Sequence, residues 1–553
     1  MEFGVFDIEA LDWNKVYAIG FFDGKELKIL AEKGKPNNYF ISWLFDNLPS
    51  KKVFYAHNGG RYDFLFIFDW LQENKIKPYG LRLVHGSVAE FRVKYKDKVL
   101  IFRDSYLILP NSLKKLTVDF NVEHKKLEMD YDIGIDDERF NDYFKNDILG
   151  LYEVIQKSGL YSHLTIASNS ISVFRDEYYG KKFSANEYRV EEFFRKAYHG
   201  GRTEIFRLYG ENLKYYDVNS LYPFVMHKYK YPIPEANNFK IIKEPSQEIT
   251  NEGLYFAKVS IDNLLIPVLP VKESKLIFPI GTFTGWFYGS ELLLARRMGY
   301  LINIKKAIEF KTDYIFKDYI SYYYNIKKTH TGSQKAIAKL MLNSLYGKFG
   351  QKRERENYEL SDFIEGHLSN SVSLKIHKYV DIDSTFIHPE IAGMITANAR
   401  AELYSLFLKA GLKNIYYCDT DSILTDVSLP TSNELGDIKL EDEIKEYISL
   451  LPKVYAYKRY NGDIVIKAKG LDSEKLSYND FFYSLKSGDL SNFKDERERI
   501  NTFKEHFRRL GSIDYTSKIK LIKKLNKGYD KRIINNDFTT SPLFIKSLDK
   551  KNI

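Results

Sequence analysis

The sequence predicts an α+β multidomain chain, and three observations carry that prediction. A length of 553 residues is enough for about three or four domains, each with its own core. Short alternating runs ending in acids read as strands that deliver carboxylates to their tips: Val5-Phe6-Asp7-Ile8-Glu9, Lys214-Tyr215-Tyr216-Asp217 and Ile415-Tyr416-Tyr417-Cys418-Asp419. Between the last two lies a stretch of helical period, Gly332 to Gly347, with a basic stripe along it.

Composition sets limits on the class. Hydrophobic residues make up 44% and charged residues 28% of the chain, ordinary values for a globular protein in water. The aromatic share of 16%, with 43 Tyr and 39 Phe, is high, and an AT-rich coding sequence would produce part of it. The net charge of +9 is uneven, since residues 501–553 hold 13 Lys and Arg against 5 Asp and Glu. A basic segment of that kind fits a polyanion partner or a solvated basic helix equally well. The single cysteine, Cys418, excludes an intramolecular disulfide and argues against a cysteine-based zinc site. An intracellular protein is therefore expected, in the host cytoplasm, or in an organelle if a virus or linear plasmid encodes it. Met1-Glu2-Phe3-Gly4 lacks a signal-peptide pattern and no run approaches a membrane span, so no membrane partner is expected.

Taken in order, Asp7 and Glu9 share one face of the first strand because side chains repeat every two residues. Val53-Phe54-Tyr55-Ala56-His57-Asn58 is a second strand-like run. It leads through Gly59-Gly60-Arg61-Tyr62-Asp63 into an apolar helical stretch, Phe64 to Phe68. Asn141 to Leu149 is helical, with Tyr143 and Asp147 one turn apart. Helical period continues from Asp147 to about Ser170. Each of these pieces alone is an ordinary surface feature. Ala197-Tyr198-His199-Gly200-Gly201-Arg202-Thr203 follows, where adjacent glycines permit a simple turn or a close backbone approach.

Asp217 ends an apolar strand, the chain turns through Val218 and Tyr222, and Pro223 prevents the strand from continuing. On the 332–347 helix, Lys335, Lys339, Asn343 and Tyr346 fall on one stripe while Ile337, Leu340 and Met341 face a core. A basic stripe on an otherwise apolar helix suits a nucleotide triphosphate. The last acidic run becomes a hairpin, Ile415 to Leu424, with Asp419 and Asp421 at its tip. Two carboxylates so close repel unless a cation neutralises them, and a hard divalent ion such as Mg²⁺ takes oxygen ligands. Alone, Asp419-Thr420-Asp421 reads more readily as a solvated turn.

In combination and in this order, these segments resemble the family-B DNA polymerases, in particular the protein-primed group of phages and linear plasmids, the organellar and viral type B. Asp-x-x-Ser-Leu-Tyr-Pro (217–223), Lys-x3-Asn-Ser-x-Tyr-Gly (339–347) and Tyr-Cys-Asp-Thr-Asp-Ser (417–422) resemble its three polymerase motifs. The resemblance implies that Asp217, the Val218 carbonyl and Asp421 hold metal, with Asp419 beside them. It implies that Tyr222 excludes a 2′-hydroxyl, and that Lys327, Lys335, Lys339, Asn343 and Tyr346 bind the nucleotide. Lys328, next to Lys327, competes for that assignment. Asp7, Glu9, Asp63 and Asp147 resemble the exonuclease metal ligands of the same family, with Tyr143 positioning the attacking water. Lys126, in Lys126-Leu127-Glu128-Met129-Asp130-Tyr131, matches an assisting lysine. DNA contacts are implied for Asn58, Tyr62, Ser105, Tyr198, Gly200, Gly201, Thr420, Lys453, Tyr455 and Lys467, although Tyr106 replaces the leucine that the family places after Ser105.

The implied fold is a DnaQ-like (RNase H-like) exonuclease domain plus a right-hand polymerase domain with palm, fingers, thumb and two insertions. The expected division is exonuclease 1–165, palm 166–228 and 379–490, first insertion 229–314, fingers 315–351, second insertion 352–378 and thumb 491–553. The first insertion would receive a separate terminal protein acting as primer, and the second would give processivity with strand displacement. Expected cofactors are Mg²⁺, with Mn²⁺ as the alternative, two ions per active site. Expected partners are template/primer DNA, dNTPs and the terminal protein, and the chain is expected to be a monomer. Primer-independent or nucleic-acid-primed synthesis, a stand-alone nuclease and a non-enzymatic DNA-binding protein are the competing readings. Retained acids at both sites argue against the last, because unpaired carboxylates repel DNA.

Overall fold

Alternation in the first hundred residues closes into a seven-stranded sheet in the computed structural model, which describes residues 2–11, 14–128, 135, 137–360, 374–381, 384–510, 518–525 and 527–548. The strand order is Leu27–Ala31, Lys15–Phe22, Phe3–Leu11, Val53–Ala56, Lys98–Asp104, Ser87–Tyr95, Tyr79–Val84. Its centre is parallel, Phe3–Leu11 beside Val53–Ala56 beside Lys98–Asp104, so both faces must be covered. Phe6, Ile8 and Phe54 pack on one face against Phe40 and Phe64. Val5 and Tyr55 pack on the other with Phe140, Phe144 and Ile148 of the helix Glu138–Ser158. Asp7 and Glu9 share the parity of Val5, so they lie on the face that this helix covers.

The helical period expected to run from Asp147 to Ser170 breaks at Gly159, whose left-handed φ of 66° caps the helix. A new helix, Ile166–Val173, starts at Thr165, whose side chain accepts from the Ser168 amide. Met129, Asp130 and Tyr131 lie outside the described residues.

A second seven-stranded sheet carries the polymerase-type acids. Its order is Ile464–Ala468, Val454–Arg459, Ile438–Leu451, Tyr209–Val218, Ser422–Thr425, Ile415–Asp419, Thr203–Ile205, antiparallel throughout. The strand ends already at Val218, and Pro223, expected to stop it, is instead the third residue of a helix, Leu221–Lys228, where its missing N–H is not needed. The helix Pro389–Ala410 is buried along most of its length, and two helices, Lys317–Thr329 and Gly332–Phe349, pack as a pair.

The alternating segment after residue 229 forms a five-stranded sheet: Phe239–Ile242, Leu301–Phe310, Leu254–Ile261, Ile280–Tyr288 and, parallel to the last, Phe544–Leu548. That fifth strand comes from the far end of the chain. The hairpin Lys494–Ile500/Lys518–Lys524 is followed by residues that turn back onto the acid-bearing sheet, where Thr540 N donates to Phe206 O and Leu208 N to Phe538 O. Residues 527–548 thus leave the unit expected over 491–553, because Tyr529, Arg532 and Thr540 are buried elsewhere. In the segment expected as the second insertion, Glu354–Leu360 and Leu374–Val380 pair antiparallel, and residues 361–373 lie outside the described residues. Tyr358, Leu360 and Leu374 pack with Phe503 and Phe507 onto the N-terminal domain. Among the described residues no helix is long and apolar enough to cross a membrane.

Two candidate active sites

The first site sits where the helix Glu138–Ser158 crosses the first strand. A side chain at Gly150 would lie 2.3 Å from the His124 carbonyl oxygen. That close approach holds the 124–126 segment against the helix and brings Lys126 onto Asp147. Asp7, Glu9 and Asp147 place carboxylate oxygens within 4.8 Å of one another. Asp63 enters from the first turn of its own helix. Tyr143 OH donates to Glu9 Oε1 at 3.1 Å, and Lys126 Nζ donates to Tyr143 OH at 3.3 Å and pairs with Asp147.

Crowding of these acids shifts their protonation. Burial holds the Asp7 carboxyl well above its usual range, with Asp63, Glu9 and Asp147 adding repulsion. Burial pushes Glu9 up to about 7 against the pull of Lys126, and pushes Asp63 up to about 7 with help from Asp104 and Glu9. Asp147 is raised by burial and opposed by Lys126. The Oδ1 atoms of Asp63 and Asp147 are buried with no hydrogen-bond partner. Buried polar atoms are normally satisfied, so an oxygen-only set with orphaned atoms and mutual repulsion fits hard divalent cations.

A cleft of about 560 Å³ leads toward this site, lined by Asn58, Arg61 and Tyr62 on one side and Arg499, Asn501 and Lys518 on the other. Asn58 holds a left-handed φ of 62°. Ser105 is fully buried, with its hydroxyl donating to Ala56 O at 3.2 Å and 3.0 Å from His57 Nδ1. The direct DNA contact expected of Ser105 is therefore corrected. It stands behind His57, and its hydroxyl is engaged by protein. Burial lowers the His57 imidazole to about 4, so it is neutral at neutral pH. Sequence reasoning missed His57, whose partners Ser105 and Asn111 O are remote in the chain.

The second site lies on the antiparallel sheet. Ser422 pairs with Asp217 across neighbouring strands, and Val218 N donates to Asp421 O at 2.8 Å, so the turn after Asp217 is pinned to the hairpin tip. Burial, and then Asp421, pushes Asp217 up to about 6, while Lys439 and Lys327 oppose the shift. Asp421 is raised by burial and by Asp419. Asp419 is turned elsewhere, 3.0 Å from Lys453 Nζ and accepting from Thr203 Oγ1 at 3.1 Å. The Asp217 and Asp421 carboxylates, which repel each other, and the Val218 carbonyl are oxygen donors of the kind hard divalent cations take.

The long helix presents Lys335, Lys339 and Asn343 to solvent and half-buries Tyr346. Tyr346 stacks on Tyr222, with ring centroids 4.4 Å apart. Lys327 donates to Ser220 Oγ at 2.7 Å. Burial lowers its affinity for a proton, and Lys339, Lys439 and Lys335 add repulsion. Lys328 turns away to Glu434. Cys418 is fully buried, and burial pushes its thiol up to about 12, so it is inert at neutral pH.

The Tyr198–Thr203 loop abuts the hairpin. Thr420 N donates to Arg202 O at 2.7 Å, and a Cβ on Gly201 would lie 2.7 Å from Thr420 Cγ2. Gly201 is thus required by the hairpin tip, whereas Gly200 faces open space. Arg400, which sequence reasoning also missed, is buried and donates from Nη1 to His199 O and Gly200 O while Glu291 holds its Nε. The signal was an arginine within a run of mainly apolar and small residues, Ile391 to Ala401. Tyr417 accepts from the Lys453 amide at 3.1 Å and packs on Tyr455, with ring centroids 5.5 Å apart. Exposed Lys467 pairs in register with Tyr455.

The family model for DNA polymerase type B, organellar and viral, matches residues 47–140 and 135–423. A probable DNA polymerase of Podospora anserina is 29% identical, the match covering 86% of this chain and 53% of that protein. The chain therefore spans about half the length of that relative. The DNA polymerase of Bacillus phage phi29 is 27% identical over 90% of this chain and 92% of its own. The structure of phi29 DNA polymerase complexed with primer-template DNA and incoming nucleotide superposes with a TM-score of 0.73, at 21% identity, covering 95% of this chain and 99% of that one. The fold is thus a mixed α/β multidomain fold of that kind.

Proposed function

Because this chain belongs to the organellar and viral type-B DNA polymerases, we propose that it copies DNA from a template and degrades mispaired 3′ ends at a separate site. The observation that carries the reading is the juxtaposition of Asp217 with Asp421, which Ser422 opposite Asp217 and the Val218 N–Asp421 O bond bring within charge interaction, in electrostatic reach of the lysines on the two helices. In synthesis a primer hydroxyl attacks the α-phosphate of a dNTP and pyrophosphate leaves. Divalent cations bound by Asp217, Asp421 and the Val218 carbonyl would supply charge stabilisation at the attacking and leaving oxygens. Lys327, Lys335 and Lys339 hold the triphosphate, and Tyr222, backed by Tyr346, lies under the sugar and rejects a 2′-hydroxyl. Lys453, Tyr455 and Lys467 hold the primer end, and the loop at Tyr198 and Gly200 meets the template with Thr420.

At the other site Asp7, Glu9, Asp63 and Asp147 bind cations, Tyr143 orients the water and Lys126 balances Asp147. The cleft at Asn58 and Tyr62 guides the single strand. Segments 229–314 and 352–378 are read as the terminal-protein and processivity insertions of the protein-primed group. They support initiation from a hydroxyl of a separate protein.

Primer extension with Mg²⁺ tests the reading. Wild type extends a primed template, and Asp7→Ala combined with Glu9→Ala stops degradation while synthesis persists. Degradation without any dNTP incorporation by wild type would leave only a nuclease. Transfer of dNMP to a candidate terminal protein, compared with synthesis on a template lacking any primer, separates protein priming from primer-independent starts.

A further inference from the structure

The strand Ile438–Leu451 runs beside the Asp217 strand in a register that sets Lys439 opposite Asp217. Opposed residues project from the same face of a sheet, and Lys439 Nζ lies 3.9 Å from Asp217 Oδ1. The register then shifts between Leu440 and Asp442, which leaves Glu441 as an extra, bulged residue. Bulges re-aim side chains beside sites, and here Glu441 pairs with the Lys439 ammonium. The charge of Lys439 also acts on Asp421 and on Lys327.

Lys327, Lys335 and Lys339 from the helices and Lys439 from the sheet thus form one electrostatic group beside the two carboxylates. A half-exposed Lys439–Glu441 pair could in principle be an ordinary surface contact of little weight. The neighbours argue otherwise. Asp217, Asp421 and Glu441 hold the Lys439 ammonium, while Lys327, repelled by Lys339, Lys439 and Lys335, donates to the neutral Ser220 hydroxyl, so a polyanion entering between them relieves that repulsion. Sequence motifs could not show Lys439, because its relation to Asp217 exists only through strand register.

We infer that Lys439 is a nucleotide-positioning residue of the palm. It neutralises Asp217 and Asp421 while no cation is bound, and takes hold of the phosphate tail when a dNTP enters. Glu441 keeps the ammonium at the rim of the site between these states. The role rests on the polymerase reading above.

The test uses full-length protein carrying Asp7→Ala and Glu9→Ala, so that the other metal site is silent. Steady-state incorporation is measured for Lys439, Lys439→Gln and Lys439→Arg. Mn²⁺ binding without nucleotide is measured on the same proteins by electron paramagnetic resonance. Lys439→Gln raises the KM for dNTP about tenfold with kcat within about twofold, since a charged phosphate contact is lost. Lys439→Arg restores KM to within about threefold because the charge returns. Mn²⁺ binds Lys439→Gln about threefold more tightly, because a competing cation has left Asp217. An unchanged KM, or a KM that Lys439→Arg does not restore, overturns the phosphate role. Unchanged Mn²⁺ affinity overturns the neutralising role. If the protein with native Lys439 extends no primer at all, the polymerase reading falls and this role with it.

Discussion

Asp419 and Asp421 are one residue apart and are set to different tasks. Asp419 is occupied by Lys453 and Thr203, whereas the chain at Asp421 is bonded to the turn that carries Asp217. Asp421→Asn is expected to cut synthesis about a thousandfold, the scale of a lost charge-stabilising ligand. Asp419→Asn is expected to cost about tenfold through a displaced Lys453. Equal losses in a primer-extension assay would refute that division. The acids of the first site give a pH prediction. Glu9 and Asp63 rise to about 7 from usual values of 4.5 and 3.8. Below the usual values both folded and unfolded chains are protonated, and the site is neutral to stability. As pH rises through 4 to 7 the unfolded chain releases protons that the folded site retains, so metal-free protein loses stability. Asp63→Asn should therefore stabilise the protein relative to wild type at pH 8 in EDTA and not at pH 4, read by urea denaturation. The same effect at both pH values would mean the carboxylates are not strained. These acids were legible in the sequence because a strand or a helix turn brings each to a predictable face. His57, Arg400 and Lys439 were not, since their meaning depends on partners far along the chain.

Between elements, the decisive contact is the loop 198–203 against the 415–424 hairpin. The adjacent glycines were readable as a close approach, but the sequence could not say to what. The structure places Thr420 against Gly201, and Arg400 fixes the neighbouring carbonyls. Gly201→Ala must push the hairpin tip or the loop aside. A cost of about 1–3 kcal/mol of local strain is expected. Synthesis should fall while exonuclease activity and overall melting stay near wild type. A parallel loss of both activities would show a global folding defect instead. The lysine stripe of the 332–349 helix was fully legible, because helical spacing alone puts Lys335, Lys339 and Asn343 on one face and that face proves to be exposed. The helix break at Gly159 was less so, since apolar period continues on both sides of the cap.

At the scale of the whole molecule, the basic segment after residue 500 does two jobs that charge counting could not separate. Part of it forms the hairpin and the helix Phe503–Leu510, with Phe503 packed on Phe68 at 4.5 Å between ring centroids. The rest straps the segment expected as the first insertion, residues 229–314, to the acid-bearing sheet. Arg532 donates to Leu265 O, Tyr404 to Ile266 O and Arg202 to Pro267 O, so three side chains from separate parts of the chain hold three consecutive carbonyls of the insertion. Arg202 also binds Glu204 in a nearly solvent-free setting, and Phe544–Leu548 covers the edge of the insertion sheet. Removing one partner of such a buried network leaves polar groups unpaired, which typically costs about 3–5 kcal/mol. Arg532→Ala should lower the melting temperature markedly and loosen the insertion. Truncation after residue 526 should in addition bare the Ile280–Tyr288 edge, and an unpaired strand edge invites association. Light scattering of the truncated chain is expected to show concentration-dependent oligomers where the full chain shows none. If the truncated chain melts like wild type and stays dispersed, residues 527–548 are a passive tail and the insertion is held by its own packing alone.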